Sequence, residues 1–519
     1  MSLILLAIPT IFIGFISYYL WIWTYWRRRG ISGPLGYPIV GSFPKTLKSE
    51  YPQYLQIRDW TKQYGSVFGY TEGTIRTLVV SDSDLVHELF VKQYDNFYGR
   101  RLNPIQGDPE KDPRTNLFSA QGFRWKRLRA ISSPTFSNNS LRKINLTVED
   151  SALELLRHIE EQTSVGEQID MLQFYQEFTM DVIGRIAMGQ NDSQMFKNPL
   201  LNFVKAIFGD NRKHIPLIGG VFPSFAQLFR FFMLKLPFLG AANFIHVNNT
   251  MIAAVNNRIA QRENDAKNGM EIGEPQDFID LFLDARADDV EHFGENNGDF
   301  SKSSSYSNRQ LTTSEIVGQC IVFLIAGFDT TALSLSYSTF LLATHPEIQS
   351  KLQEEVDREC TNPEISFDQL SKLKYMDCVI KETLRLYPLG TLANSRRCMR
   401  ATKLGDVEVE VGTTVQVDTW SLHTDPKIWG DDAKEFKPER WLSADSDLIF
   451  QKGGYVPFGL GPRQCIGMRL AYMEEKMLLA HILRKFTFVT GVKTDIPLKL
   501  QGRTTTQPES VWMHLKPRH

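Results

Sequence analysis

With 519 residues, 58 basic against 59 acidic side chains and a net charge of -1, the chain lacks the basic excess that a nucleic-acid partner demands. Five cysteines without paired spacing exclude a disulfide framework and a cysteine-rich metal centre, and they fit a reducing compartment. No linker divides the sequence after residue 45, so one large domain, 46–519, is predicted behind an N-terminal segment.

Residues 1–26 carry no charge, and Leu3 to Trp26 is long enough to cross a bilayer as a helix. Tyr18, Tyr19, Trp21, Trp23, Tyr25 and Trp26 form an aromatic belt at one end, followed by Arg27, Arg28 and Arg29. The positive-inside rule predicts a single-pass anchor with the body in the cytosol. A cleaved signal peptide is the lesser reading, because a basic start and a small-residue cleavage site are missing. A cytosolic body makes the glycosylation sequons at Asn138, Asn145, Asn191 and Asn248 incidental. Residues 27–45, with Pro34, Pro38 and Pro44 among glycines, read equally as a stiff hinge or a simple tether.

Residues 66–82 read as a hairpin turning at Glu72-Gly73, and Leu85 to Gln93 as a short helix. Residues 95–120 are a polar loop. Gly122 to Pro134 predicts a basic helix on which Trp125 and Arg129 share a face at i and i+4. Arg127 lies about 200° round from Trp125 and is expected to point outward. Ser151 to Gln190 reads as helical. Leu200 to Phe244 is unusually apolar and aromatic, and it reads as core, as a lid over a pocket, or as a face dipping into a membrane. Asp284 to Gln310 is acidic and rich in Ser and Asn, the composition of a mobile surface loop.

Thr312 and Glu315 form a capping box before a run, Ile316 to Thr344, whose one charge is Asp329. Asp329, Thr330 and Thr331 in its middle argue for the core helix of a large domain over a second membrane span. Gly327 is expected to let a ligand approach the backbone. The Thr330 hydroxyl is expected to bond back to the Ala326 carbonyl and open a slight bulge. Downstream, KETLRLYP puts Glu382 and Arg385 at i and i+3, NSRRC holds Arg396 and Arg397, and FKPERW holds Arg440. Finally FGLGPRQCIG, Phe458 to Gly467, places Cys465 between a Gly/Pro turn and a helix expected to start near Ile466. Such a position favours a thiolate, and Arg463 adds positive charge beside it. A single axial thiolate suits haem iron.

FGLGPRQCIG resembles the haem-thiolate loop of the cytochrome P450 monooxygenases, Phe-x-x-Gly-x-Arg-x-Cys-x-Gly, at every fixed position. The motifs at Trp125, Ala326, Glu382 and Phe436 extend the resemblance from about residue 30 to the C-terminus. WKRLRAISSPTF and LATHPEIQSKLQEEVD look like the animal clan of drug- and toxin-oxidising members, nematode members included. The resemblance implies a mainly α fold with small β-sheets, the cytochrome P450 fold, behind an N-terminal transmembrane helix. It implies haem b ligated by Cys465, with Arg463, Trp125, Arg129, Arg396 and Phe458 in the cofactor site; Arg397 is the alternative to Arg396. It gives Asp329 and Thr330 to oxygen activation, with Asp329 linked to solvent protons. Glu382, Arg385 and Arg440 become a buried structural triad, and Trp441, where the family often has Phe, is expected to matter little. Residues 95–120 would cover the pocket, and 200–244 would roof it and touch the bilayer.

The implied activity inserts one atom of O2 into a small lipophilic substrate, a xenobiotic, steroid or fatty acid. Electrons would come from NADPH through a separate flavoprotein reductase, with cytochrome b5 as a second possible donor, at the endoplasmic reticulum membrane. The alternatives are a haem-thiolate isomerase or dehydratase acting on a peroxide, against which the Asp329-Thr330 pair argues, and a haem carrier or sensor without turnover.

Overall fold

The computed structural model describes residues 2–518, except 49–50, 165, 209–213, 237, 239–240, 271–274, 276, 287–310 and 444. The acidic loop expected at 284–310 therefore lies almost wholly outside the described residues. The principal helices are α1 (Ser2–Trp23), α2 (Gln53–Tyr64), α3 (Gly122–Ser132), α4 (Asn138–Thr163), α5 (Met171–Met188), α6 (Leu200–Phe208), α7 (His214–Val221), α8 (Ala226–Lys235), α9 (Ala242–Lys267), α10 (Thr313–Thr344), α11 (Pro346–Glu359), α12 (Lys374–Leu386) and α13 (Met468–Lys485). The strands are β1 (Val67–Glu72), β2 (Ile75–Val80), β3 (Ile169–Asp170), β4 (Ser395–Arg397), β5 (Thr402–Leu404), β6 (Val407–Val409), β7 (Thr414–Val417), β8 (Phe486–Val489), β9 (Leu500–Gln501), β10 (Gln507–Pro508) and β11 (Trp512–Pro517). The architecture is mainly helical with small sheets, as the resemblance implied.

α10 is the axle. Thr312 caps it by accepting from the Glu315 N–H while the Glu315 carboxylate accepts from the Thr312 N–H, the reciprocal box expected from the sequence. Among the described residues it is the one unbroken helix long and apolar enough to cross a membrane, the bent pair from α7 to α8 passing only if taken as one span, and it is mostly buried inside the domain. α5 packs along it: Thr179 donates to the Phe328 carbonyl at 2.7 Å and Tyr175 meets Thr339 at 2.6 Å. α13 packs on it through Ser334, which donates to buried Glu475 at 2.8 Å. The helix expected across 151–190 is in fact two, because β3 and the turn at Gly166, with φ +77°, interrupt it.

The larger sheet runs β1-β2-β7-β4. The β1–β2 hairpin pairs Glu72 with Ile75 around Gly73, as expected. β2 runs parallel to β7, and β4 closes the sheet with Arg396 opposite Val415. Alternation along β4 sends Arg396 inward and leaves Arg397 exposed.

The aromatic end of α1 does not stand clear of the domain. Tyr19, Ile22, Tyr25 and Trp26 are buried, whereas Tyr18 and Trp21 are exposed. Tyr19 donates to the Val221 carbonyl at 2.5 Å, and the Trp26 indole to the Tyr70 carbonyl at 2.9 Å. Gly69 makes the seat for Trp26, since a Cβ there would fall 2.2 Å from the indole. A boundary at residue 26 thus cuts through packed side chains. Two of the four sequons, Asn145 and Asn248, are buried as well.

Candidate active site

The loop before α13 is set by glycines. Gly459 and Gly461 have φ of +75° and +71°, and a Cβ on Gly461 would lie 2.2 Å from the Phe90 carbonyl oxygen. The Cys465 N–H donates to the Phe458 carbonyl at 2.8 Å, closing the loop, and Phe458 packs on Tyr472 of α13. α13 starts at Met468, two residues later than expected, so Cys465 sits just ahead of its first turn.

Cys465 has open surface in front of it, yet the protein around it desolvates it. Burial pushes its thiol up, against the thiolate preference expected from position alone. The opposing pull comes from the Gly467 N–H, then Arg129 and Arg100, then the Met468 N–H. The helix start is therefore real but is outweighed by desolvation until a cation faces the sulfur.

Around Cys465 stand four guanidinium groups, none of them in an ion pair with a carboxylate among the described residues. Arg129 on α3 donates to the Gln464 carbonyl at 2.9 Å. Arg463 donates to the Ala120 and Tyr98 carbonyls at 2.6 and 3.0 Å and lies 4.4 Å over the Trp125 ring. Arg100 donates to the Ala393 carbonyl at 2.6 Å. Arg396, 1 % exposed, donates to the Ser395 carbonyl at 2.9 Å. Arg100 Nε, Arg396 Nε, and Arg463 Nε and Nη1 are buried without a partner. Burial, then mutual repulsion, pulls Arg463 down to about 9 and Arg396 well below the usual arginine range. Burial likewise pulls Arg100 down to about 10. Four desolvated cations, three of them with orphaned N–H groups, offer unused donors to an anion.

The structure thus brings Cys465, Phe458, Arg463, Trp125, Arg129 and Arg396 together, and it separates Arg396 from exposed Arg397. Sequence reasoning missed Arg100, one of two adjacent arginines in a loop without periodicity. Its neighbour Arg101 turns instead to buried Glu72.

Arg127 overturns the expectation of an outward charge. It meets Glu315 Oε1 at 2.5 Å, and Arg124 reaches the same oxygen at 3.1 Å. The rotation that takes Arg127 off the Trp125 face points it at the start of α10, not at solvent.

On α10, Thr330 Oγ1 donates to the Ala326 carbonyl at 2.8 Å as expected. The bulge does not form, since the helix runs unbroken through this stretch. Gly327 makes room for Ile183 of α5, whose Cδ1 a Cβ would meet at 2.9 Å, so its bareness serves helix packing. Asp329 is 1 % exposed and is tied by Thr505 and Gln507. Burial pushes its carboxyl up.

Behind the site, the Glu382 carboxylate accepts from Arg385 Nε and Nη2 at 2.8 Å each, and from Arg440 Nε at 2.8 Å. It also accepts from the Lys437 backbone N–H at 3.0 Å and from the Trp441 indole N–H at 2.9 Å, so Trp441 is a fourth donor residue and not a neutral replacement for Phe.

A family model described as Cytochrome P450 matches residues 31–514. The chain is 85 % identical over 518 residues to the putative cytochrome P450 CYP13A10 of Caenorhabditis elegans, covering 100 % of both chains. It is 71 % identical over 510 residues to the putative cytochrome P450 CYP13A1 of the same organism, covering 98 % of each, and 60 % identical over 509 residues to CYP13A2, again covering 98 % of each.

Proposed function

Because the chain belongs to the cytochrome P450 family and is a haem monooxygenase, we propose that Cys465 is the axial thiolate and that Arg100, Arg129, Arg396 and Arg463 hold the haem propionates. The observation that carries this reading is the set of buried guanidinium nitrogens without partners on Arg100, Arg396 and Arg463, with Arg129 joining them by its place beside Cys465. A haem brings two carboxylates, and charge-assisted hydrogen bonds to them satisfy those N–H groups and relieve the repulsion among the arginines. Trp125 flanks the same anions beneath Arg463. When bound, the haem would supply the oxygen chemistry, and Cys465 as its thiolate ligand would add electron density to the iron.

The residues of this chain do the rest. The Gly467 and Met468 N–H groups, with Arg129 and Arg100, favour the charged sulfur. Burial raises the proton affinity of Asp329 in its niche, and Thr330 is the adjacent alcohol. The pair supports oxygenation of a small lipophilic substrate over the peroxide isomerase reading. Electrons come from NADPH through a separate flavoprotein reductase, with cytochrome b5 as an accessory donor.

The protein sits on the endoplasmic reticulum membrane with its body in the cytosol. α1 and the segment from α7 to α8 make the contact. Phe225, Leu228, Phe231 and Phe238 are exposed there, Phe238 to 80 %. The bond from Tyr19 to Val221 makes that surface continuous with α1.

The test is the reduced, carbon monoxide-treated protein. A red-shifted Soret band is expected, lost in Cys465→Ala; a band that survives the substitution overturns the ligand assignment. A spectral binding screen of fatty acids, steroids and lipophilic toxins, followed by NADPH-driven turnover with reductase, identifies the substrate. A product formed without NADPH or O2 would favour the isomerase instead.

A further inference from the structure

We propose that Thr505 and Gln507, on the hairpin formed by β9 and β10, are positioning residues that clasp the Asp329 carboxylate and fix which of its oxygens carries the proton. The inference rests on the reading of Asp329 as the acid that handles protons. Both donors converge on one atom: Thr505 Oγ1 lies 2.7 Å and Gln507 Nε2 2.9 Å from Asp329 Oδ2. Gln507 Nε2 is also 3.0 Å from Thr505 Oγ1, which closes a ring of three groups. The Gln507 amide turns its NH2 toward that ring, and this orientation sets the polarity. An amide NH2 only donates, so Gln507 donates to both neighbours. Thr505 has one hydroxyl hydrogen, and it goes to Asp329. Oδ2 accepts twice and has no room for a proton of its own, so whenever the acid is protonated its proton sits on Oδ1.

The clasp comes from a segment remote in sequence and is anchored independently of α10. Thr506 donates through its N–H to the Leu389 carbonyl at 3.0 Å and through its hydroxyl to the Pro388 carbonyl at 2.8 Å. Tyr54 on α2 donates to the Gln501 carbonyl at 2.8 Å. Thr330, next to Asp329, bonds instead within its own helix. The helix thus orients the alcohol, and the C-terminal hairpin orients the acid.

The charged group facing Asp329 is Lys205 on α6, which is itself opposed by Glu177 on α5 and by Asp170. Gln176 of α5 is a further neutral donor, and Tyr337, further along α10, is the other titratable neighbour. The hairpin's own charge, Arg503, lies at a surface cleft with Thr46 and Gln53. Burial is the largest influence on Asp329 and pushes its carboxyl up; Thr505, then Gln507, then Lys205, pull it down. Removing the Thr505 hydroxyl therefore raises the proton affinity further.

The experiment is an infrared titration of the haem-loaded full chain carrying 13C-labelled aspartate. The C=O band of protonated Asp329 is assigned by its loss in Asp329→Asn. In Thr505→Val the titration midpoint of that band is expected to rise by about one pH unit, a tenfold gain in proton affinity. Thr505→Ser is expected to restore it. Gln507→Met is expected to shift it the same way and carries the test if Thr505→Val does not load haem. Midpoints equal to wild type in the Val and Met variants overturn the clasp. Product formed per NADPH in Asp329→Asn tests the underlying reading separately. If that ratio is unchanged while Thr505→Val still moves the midpoint, the clasp stands and the proton-handling role of Asp329 falls. If the ratio collapses while the midpoint stays, the reverse holds.

Discussion

Arg127 and Glu315 lie 2.5 Å apart, and the carboxylate in that pair is 1 % exposed. The contact ties α3, which carries Trp125 and Arg129, to the first turn of α10, which carries Asp329 and Thr330 further along. Arg124 joins the same oxygen, and the Thr312 N–H bonds Glu315 Oε2 at 3.3 Å. One buried carboxylate thus fixes α3 and α10 in a common frame.

Arg127→Glu is accordingly expected to damage the fold before it affects any electron donor. It sets a second carboxylate against Glu315 and removes one of its two cations. Breaking a buried pair costs about 3–5 kcal/mol, and the surviving Arg124 pair places Arg127→Ala below that range. Thermal unfolding and haem content should fall together in Arg127→Glu, with Arg127→Ala intermediate. A fully folded, fully loaded Arg127→Glu that was only slow to be reduced would show that the pair does not matter to the frame.

The arginine cluster predicts effects of opposite sign in the two states of the protein. Arg100→Met removes one member of a repelling group, so the haem-free chain should be unchanged or stabilised. The loaded chain loses a charge-assisted bond worth roughly 1.5–3 kcal/mol, about a ten- to hundredfold faster loss of haem. Unfolding of the haem-free protein and haem transfer to an acceptor protein measure the two effects. A loss of stability in the haem-free form larger than the one bond to the Ala393 carbonyl accounts for would contradict the account of Arg100 as a member of a repelling set.

These arginines also mark how far the sequence could be read. Arg129 and Arg463 lie at fixed offsets from Trp125 and Cys465 and were legible. So were the capping box of α10, the Glu382–Arg385 pair and the Thr330 back-bond, all local in sequence. Arg100 was not, because a loop without periodicity gives its side chains no assigned direction. The partner of Asp329 was not, because Thr505 comes from a hairpin that reaches α10 only through tertiary packing. Arg127 was misread for a related reason: angular position on a helix says which residues diverge, not what the outer face meets.

Trp441→Phe tests the fourth donor to Glu382. Arg385 and Arg440 remain, so the carboxylate stays paired and the site keeps its geometry. The lost indole bond to a charged acceptor should cost about 1.5–3 kcal/mol of stability. Denaturant unfolding of the loaded protein gives the value. A cost near zero would restore the expectation that Phe and Trp are interchangeable here.

Thr330→Ala should bind haem and substrate normally while oxidising more NADPH per product. Its hydroxyl reaches only the Ala326 carbonyl of its own helix, so its loss leaves the packing with α5 intact. Loss of one general acid–base or orienting group is typically worth about 10²–10⁴-fold in the step it serves. Product formation should therefore fall well before NADPH consumption does. Equal falls in both would indicate a structural defect, which a lowered unfolding temperature would reveal.

The last prediction concerns where the N-terminal segment can be cut. Tyr25 packs in one cluster with Trp26, Leu78, Val80 and Val415 of the larger sheet's neighbourhood. Arg29 and Arg76 lie 4.9 and 4.7 Å over its ring, and both pair with Glu410 at 2.5 Å. Trp26 fills the seat at Gly69. Deleting residues 1–29 empties that seat and strands Glu410 with one cation in place of two. Loss of a large buried aromatic costs about 3–5 kcal/mol. Deleting 1–17 keeps Tyr19, Ile22, Tyr25 and Trp26, and should leave stability and haem content at the level of the full chain. Trp26→Ala in the full chain should reproduce most of the loss seen in the longer deletion, which separates packing from membrane attachment. The shorter deletion should still sediment with phospholipid vesicles, and salt should not release it, because Phe225, Phe231 and Phe238 are apolar contacts and are not screened. Phe225→Ser with Phe231→Ser in that background should abolish the residual binding without changing haem content. Equal stability of the two deletions would move the boundary back to residue 29, and vesicle binding that survives both serines would place the second contact elsewhere.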